Sequence, residues 1–231
     1  MRDAGSMKLR VSFAKSLVVA ALYGSLFVAV PKVAISQAAQ TQRPTSTPYT
    51  GDLSIFEKPG RDERLQIQRV MDLLGIKAGS SVADIGAGSG WFSMRAAARV
   101  GGSGRVYAQD INPDAVKYIQ NRIHKEKVGN VKTVLGSPDD PKLPSDSIDA
   151  VLLLKVYHEI AHPLVFMTNL KSSLRSGAKV GIIDRNGNGT DHGLNSDVVR
   201  REMAEAGFKP LSSYDFTKAD GQDYFLLFAV R

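Results

Sequence analysis

The stretch Ser81-Val82-Ala83-Asp84-Ile85-Gly86-Ala87-Gly88-Ser89-Gly90 decides the fold. It opens as a short apolar run interrupted by one acid and ends in three glycines at alternate positions. Trp91-Phe92-Ser93-Met94-Arg95-Ala96-Ala97-Ala98 follows and reads as a helix, because it is rich in good helix formers. A strand, a glycine turn and a helix start, in that order, build a nucleotide-type binding site. The glycines let the backbone turn sharply and approach a ligand without Cβ clashes. The helix start presents free N–H groups to whatever sits above it.

The spacing then selects the ligand. A dinucleotide fingerprint needs G-x-G-x-x-G. Counted from Gly86 its last position falls on Trp91, and counted from Gly88 it falls on Ser93, so both registers fail. A phosphate loop needs a lysine after its last glycine, and none follows here. What remains is D-x-G-x-G-x-G with the acid on the strand. Asp84 would repel a pyrophosphate but suits a ligand carrying an ammonium and a sulfonium. The stretch resembles motif I of the class I S-adenosylmethionine-dependent methyltransferases, and the resemblance extends over about Ser54 to Arg231.

Upstream, Asp62 caps a helix expected to run to Leu74, with Leu65, Ile67, Val70, Met71, Leu73 and Leu74 as its apolar stripe. Downstream, Arg105 to Gln109 reads as the second strand, with Asp110 at its C-terminal end. A carboxylate there can accept from both hydroxyls of a ribose. Asn112 caps the next helix, which leads to the strand Val131–Leu135 and the loop Gly136-Ser137-Pro138-Asp139-Asp140. Asp149 to Leu154 is an apolar run suited to a buried central strand. Lys155-Val156-Tyr157-His158-Glu159 comes next. A helix over Leu164 to Leu174 is expected, stopped by Arg175-Ser176-Gly177 before the strand Lys179–Ile183, which ends at Asp184. A polar, glycine-rich loop from Arg185 to Gly193 is long enough for a lid. A helix from Asp197 to Ala206 and strands over 211–216 and 223–230 close the chain. The expected fold is α/β: a three-layer αβα sandwich around a seven-stranded, mostly parallel sheet with a C-terminal antiparallel hairpin, the Rossmann-like methyltransferase fold.

The resemblance implies S-adenosyl-L-methionine as cofactor and assigns roles by position. Gly86, Gly88 and Gly90 cradle its methionine part, Asp84 holds the ammonium, Asp110 fixes the ribose and Ile111 packs on the purine. The family often places an acid after the glycine of the third-strand loop to touch the adenine; Ser137 stands there instead, with Asp139 as a substitute. The loop after the fourth strand borders the transferring methyl. Tyr157 is offered to the cationic sulfur or the substrate, and His158 is the candidate base, oriented by Glu159. Lys155 departs from the neutral or acidic residue many members carry.

His158-Glu159-Ile160-Ala161-His162 is also a formal H-E-x-x-H, the zinc-peptidase signature. That chemistry needs continuous helix through both histidines. Pro163 directly after His162 disfavours it, and too little chain separates the strand at Leu154 from His158. Asp191 or His192 would have to supply a third ligand. The expectation is no metal, with the peptidase the least favoured alternative. A non-catalytic ligand-binding module on the same fold is the other.

The first residues differ from the rest. Arg2, Lys8, Arg10 and Lys15 precede an uncharged run from Leu17 to Val30, and small residues follow to Ala39. This reads as a signal peptide over 1–38, or an uncleaved anchor, followed by a polar linker over 39–50 and the methyltransferase domain over 51–231. The run is shorter than the roughly 20 residues of a membrane span. An exported or membrane-anchored address is expected, or a cytoplasmic one if the segment is not a working signal. The segment holds five basic residues and one acid, so about +3 of the formal +7 belongs to the remainder. The charge therefore does not call for a nucleic-acid partner. The acceptor is expected to be a small molecule, with stable membrane contact only if the segment stays uncleaved. The chain has no cysteine, which excludes disulfides and thiolate metal sites.

Overall fold

A computed structural model describes residues 42–230; the signal-peptide reading of 1–38 and the first three residues of the expected linker lie outside the described residues. Seven strands form one sheet in the order β3-β2-β1-β4-β5-β7-β6. They are β1 (Ser81–Ile85), β2 (Arg105–Asp110), β3 (Val131–Leu135), β4 (Ile148–Leu154), β5 (Leu174–Asp184), β6 (Phe208–Tyr214) and β7 (Tyr224–Val230). Strands β1 to β5 pair in parallel, and β7 runs antiparallel to both β5 and β6. The expected α/β class, the mostly parallel sheet and the terminal antiparallel hairpin are all present.

The central strands read as unbroken apolar runs because both sheet faces are covered. Successive side chains point to opposite faces. Val82, Ala150 and Leu152 therefore join α2 (Ile67–Leu74) and α3 (Trp91–Val100) in one core. Ala83, Val151 and Leu153 join α5 (Pro163–Lys171) and α6 (Ser196–Glu205) in the other. The helix α4 (Pro113–Glu126) starts on Asn112, whose side chain accepts from the Asp114 N–H, and buries Ile119 against Ala108.

Three boundaries differ from expectation. The helix expected from Asp62 to Leu74 is broken at Gln66, which adopts φ 51°, dividing it into α1 (Arg61–Leu65) and α2. The break aims α1 at the 216–220 turn, where Asp220 takes both Arg61 and Arg64. The expected stop at Arg175-Ser176-Gly177 lies inside β5, where a register shift pairs Leu174 with Ile148 but Lys179 with Ala150. Strand β6 begins at Phe208 and contains Pro210, tolerated because β6 is the outer edge of the sheet.

The order reverses between β1 and β4, so their C-terminal ends open a crevice with those of β2 and β5 on either side. Residues 42–50 form no helix or strand, yet they lie against the domain. Arg43 N–H groups donate to the carbonyls of Tyr157 and Ile160, at 2.6 and 2.7 Å, and to Glu202 at 2.8 Å. Ser46 is buried and donates to the Gly189 carbonyl. Among the described residues no helix is long and apolar enough to cross a membrane.

Candidate active site

The crevice is a cleft of about 640 Å³. One wall is the turn after β1. Gly86 and Gly88 have φ 66° and 55°, a region that L side chains rarely enter. A methyl group at Gly86 would also lie 2.4 Å from Val156. Gly90, the N-cap of α3, completes the turn from behind and does not line the cleft. The turn is pinned to β2: the Ala87 N–H donates to the Gln109 carbonyl and the Gly88 N–H to Asp110 Oδ2, both at 2.9 Å.

Two carboxylates stand beside this turn. Asp84 is 3% exposed, and its Oδ2 accepts from Ser93 Oγ at 2.6 Å. Burial pushes its pKa up to about 7; Ser93 opposes the rise and the charge of Asp110 adds to it. Asp110 is also raised, chiefly by burial, although the N–H groups of Asn112 and Gly88 hold its two oxygens. Neither acid has an ion-pair partner among the described residues. A ligand bringing positive charge and hydroxyl donors would relieve both. Ile111, 40% exposed, offers a flat apolar surface at the same end.

The other end gathers distant segments. His158 is 2% exposed, and its Nδ1 lies 2.7 Å from Asp184 Oδ2 at the end of β5. A fully buried carboxylate there accepts the Nδ1 proton, which leaves Nε2 with a lone pair towards the cleft. Glu159 Oε1 is 3.8 Å from that Nε2. Burial pushes Glu159 up to about 7, His158 lowers it, and Asp110 and Asp184 raise it further. His192 arrives from the 185–195 loop, with its ring 5.9 Å from that of His158 and perpendicular to it. Pro48, Tyr49 and Thr50 line the same cleft.

Residues 82–177 match the methyltransferase-domain family model. Over these residues the chain is a methyltransferase domain, similar to the S-adenosylmethionine-dependent methyltransferases. It is 24% identical over 126 residues to the ubiquinone/menaquinone biosynthesis C-methyltransferase UbiE of Marinomonas sp., covering 54% of this chain and 50% of that one. It is 29% identical over 96 residues to the protein-L-isoaspartate O-methyltransferase of Pyrococcus horikoshii, covering 42% and 43%. The chain thus spans half or less of the length of these curated relatives. A SAM-dependent methyltransferase from Aquifex aeolicus has the same fold, with TM-score 0.70, 23% identity, and 79% of this chain and 100% of that one covered.

In this methyltransferase domain Asp84, Gly86, Gly88, Asp110, Ile111, His158 and Glu159 all line the cleft, with Gly90 just behind it. Three expected residues are not brought there. Tyr157 is fully buried under the Arg43 guanidinium, 5.2 Å from its ring centroid, so its ring has no face towards the cleft. Ser137 is tied to Asp140 in a tight bridge. Asp139 turns outward to His162 Nδ1 at 2.8 Å, and Pro138 is the residue of that loop which reaches the cleft.

The H-E-x-x-H motif does not form a helix. Tyr157–Glu159 is a single 3₁₀ turn, Ile160 is extended, and His162 precedes Pro163 at the start of α5. The two histidines therefore share no helical face, and the peptidase alternative has no support. Three contributors were not singled out from the sequence: Asp184 as partner of His158, Gln109 beneath the glycine turn and Arg43 under the 157–161 turn; His192 entered there only as an alternative third ligand for the H-E-x-x-H motif, and the structure sets it beside His158. Asp184 had a visible signal, an acid ending a predicted strand, but nothing in the sequence says which imidazole it meets.

Proposed function

We propose that this chain transfers a methyl group from S-adenosyl-L-methionine to a small-molecule acceptor. The observation that carries the reading is the pair of buried carboxylates, Asp84 and Asp110, on adjacent strands beside the glycine turn and without a cationic partner among the described residues. The donor set fits the cofactor. Asp84 would face its ammonium, Asp110 has lone pairs left for ribose hydroxyls, and Ile111 would cover the purine. The cofactor supplies an electrophilic methyl on a sulfonium; the rest is positioning, which alone removes much of the barrier.

The acceptor would lie at the His158 end. With Nδ1 tied to Asp184, the Nε2 lone pair accepts a hydrogen bond from an acceptor hydroxyl or amine and draws its proton away as the new bond forms. The 640 Å³ cleft, with residues 48–50 in its lining, is of ordinary small-molecule size, which supports a small acceptor over a macromolecular one. The basic-then-apolar N-terminus supports an exported or anchored address, checked by a reporter fusion.

Calorimetry with S-adenosylmethionine and S-adenosylhomocysteine tests the first step, and both are expected to bind. A screen of hydroxyl and amine acceptors, reading S-adenosylhomocysteine formation, tests the second. A protein that takes up neither adenosyl compound has a different function.

A further inference from the structure

His158, Glu159 and His192 each point one ligand atom at a common spot, and these atoms lie within 4.8 Å of one another. The three residues come from two loops that sequence does not connect, and all line the cleft. Hydrogen bonding does not explain the grouping. His158 has spent its proton on Asp184, so its Nε2 carries a lone pair. The nearest Glu159 oxygen is 3.8 Å away, too far to share a proton with it. A single histidine would suffice for a base. Here a second imidazole and a carboxylate converge on the first at ligand-like spacing, without a hydrogen bond joining their ligand atoms among the described residues.

The backbone is arranged to hold His192 there. Its φ is 59°, a conformation uncommon outside glycine. Its N–H donates to buried Ser46 at 2.8 Å, and its carbonyl accepts from Arg185 Nε at 3.0 Å. The loop is closed by a bridge between Asn188 and Leu194. The Asp184–His158 contact is the arrangement in which a carboxylate fixes the tautomer and ring direction of a ligating imidazole and raises its basicity.

We infer that His158 Nε2, Glu159 and His192 bind one divalent transition-metal ion at the acceptor end of the cleft, with Asp184 as its supporting carboxylate. Two imidazoles and one carboxylate, with no thiolate, suit zinc and its neighbours and leave coordination positions open. Bonds of about 2.1 Å bring tetrahedral ligand atoms to about 3.4 Å apart, so from separations of at most 4.8 Å no pair needs to close by more than about 1.4 Å. Glu159 and the exposed His192 have the side-chain freedom to do so. The chemical consequence rests on the methyl-transfer reading. An acceptor hydroxyl held on the ion would lose its proton to water near neutral pH; its oxygen would then bond the methyl as the cofactor's carbon–sulfonium bond breaks, the electron pair returning to sulfur to give S-adenosylhomocysteine. His158 then acts as a ligand and not as the base, because both roles use the same lone pair.

The full chain, stripped with a chelator, would be titrated with Co²⁺ followed by visible absorption and with Zn²⁺ by calorimetry. One ion per chain is expected. His192→Ala and Glu159→Gln should each weaken uptake at least tenfold, and Asp184→Asn by 10- to 100-fold. His192 is exposed, so its variant should fold as the parent does, and its affinity for S-adenosylmethionine should stay within twofold. No uptake by the parent chain, or uptake that His192→Ala and Glu159→Gln leave unchanged, overturns the site. S-adenosylmethionine binding without metal uptake rejects this inference alone. Metal uptake without adenosyl binding rejects the methyl-transfer reading and leaves the site standing.

Discussion

The two ends of the cleft are built in different ways. The end proposed for the cofactor comes from one short piece of chain and the strand beside it: Asp84, the glycine turn and, one helix later, Asp110. Its geometry is held largely through backbone N–H groups of neighbouring turns, that of Ala87 to the Gln109 carbonyl and those of Gly88 and Asn112 to the Asp110 carboxylate. The end proposed for the acceptor is assembled from residues 43–50, 156–161 and 184–195, joined largely by side chains: Arg43 to two carbonyls and Glu202, His158 to Asp184, Ser46 to the His192 backbone. Backbone-built sites depend on local sequence, whereas side-chain-built sites depend on segments far apart in the chain meeting. The first end should therefore tolerate change at the second, and the converse should fail.

The strongest way to break this contrast is Gly86→Val. It forces a β-branched residue to φ 66° and drives its side chain into Val156. The expected cost is about 3 kcal/mol or more of stability, with loss of adenosyl binding. Thermal unfolding and calorimetry check it.

Arg43→Ala removes one partner of a nearly buried ion pair and empties two carbonyls of the 157–161 turn. It should cost about 3 kcal/mol in denaturant unfolding. Because it acts on the acceptor end, methyl transfer should fall by far more than S-adenosylmethionine affinity. Equal losses in both would erase the distinction between the two ends.

Asp110→Ala should weaken S-adenosylmethionine about 100-fold, the worth of two hydrogen bonds to a charged acceptor, while metal uptake stays as in the parent. Unchanged affinity in calorimetry would remove the ribose assignment.

The smallest effect is a pH dependence. Asp84 titrates near 7 in the free protein, and a cationic ligand favours its ionised form. Affinity should be flat above pH 7 and fall by up to tenfold per unit below it. Asp84→Asn should bind more weakly and lose the slope. The sign for stability is opposite. A carboxylate raised on folding stabilises the empty protein at low pH and loses that contribution as pH rises through about 7. Melting temperature against pH, parent against Asp84→Asn, isolates it.

The sheet was legible in the sequence because its central strands are buried on both faces and need unbroken apolar runs between turn residues. The helix break at Gln66 was not, since the apolar stripe continues through it and only the docking of α1 on Asp220 requires the turn. Asp84 and Asp110 were legible because each sits on a strand next to a glycine turn or helix cap, where register alone decides what it faces. Tyr157, Ser137 and Asp139 were assigned by proximity in sequence. The packing of Arg43, the Ser137–Asp140 bridge and the pull of His162 on Asp139 turned them elsewhere.

By itself, then, the sequence determined the α/β sandwich, the order of its elements and the placing of Asp84, the glycine turn and Asp110 side by side at the strand ends, all products of periodicity, turn chemistry and neighbouring backbone. Only the tertiary structure decided that His158 leans on Asp184, that His162 leaves and His192 takes its place beside Glu159, and that Arg43 braces the turn carrying them. Those contacts join side chains from segments far apart in the chain, and no local propensity encodes which of several acids or imidazoles will meet once the sheet has closed.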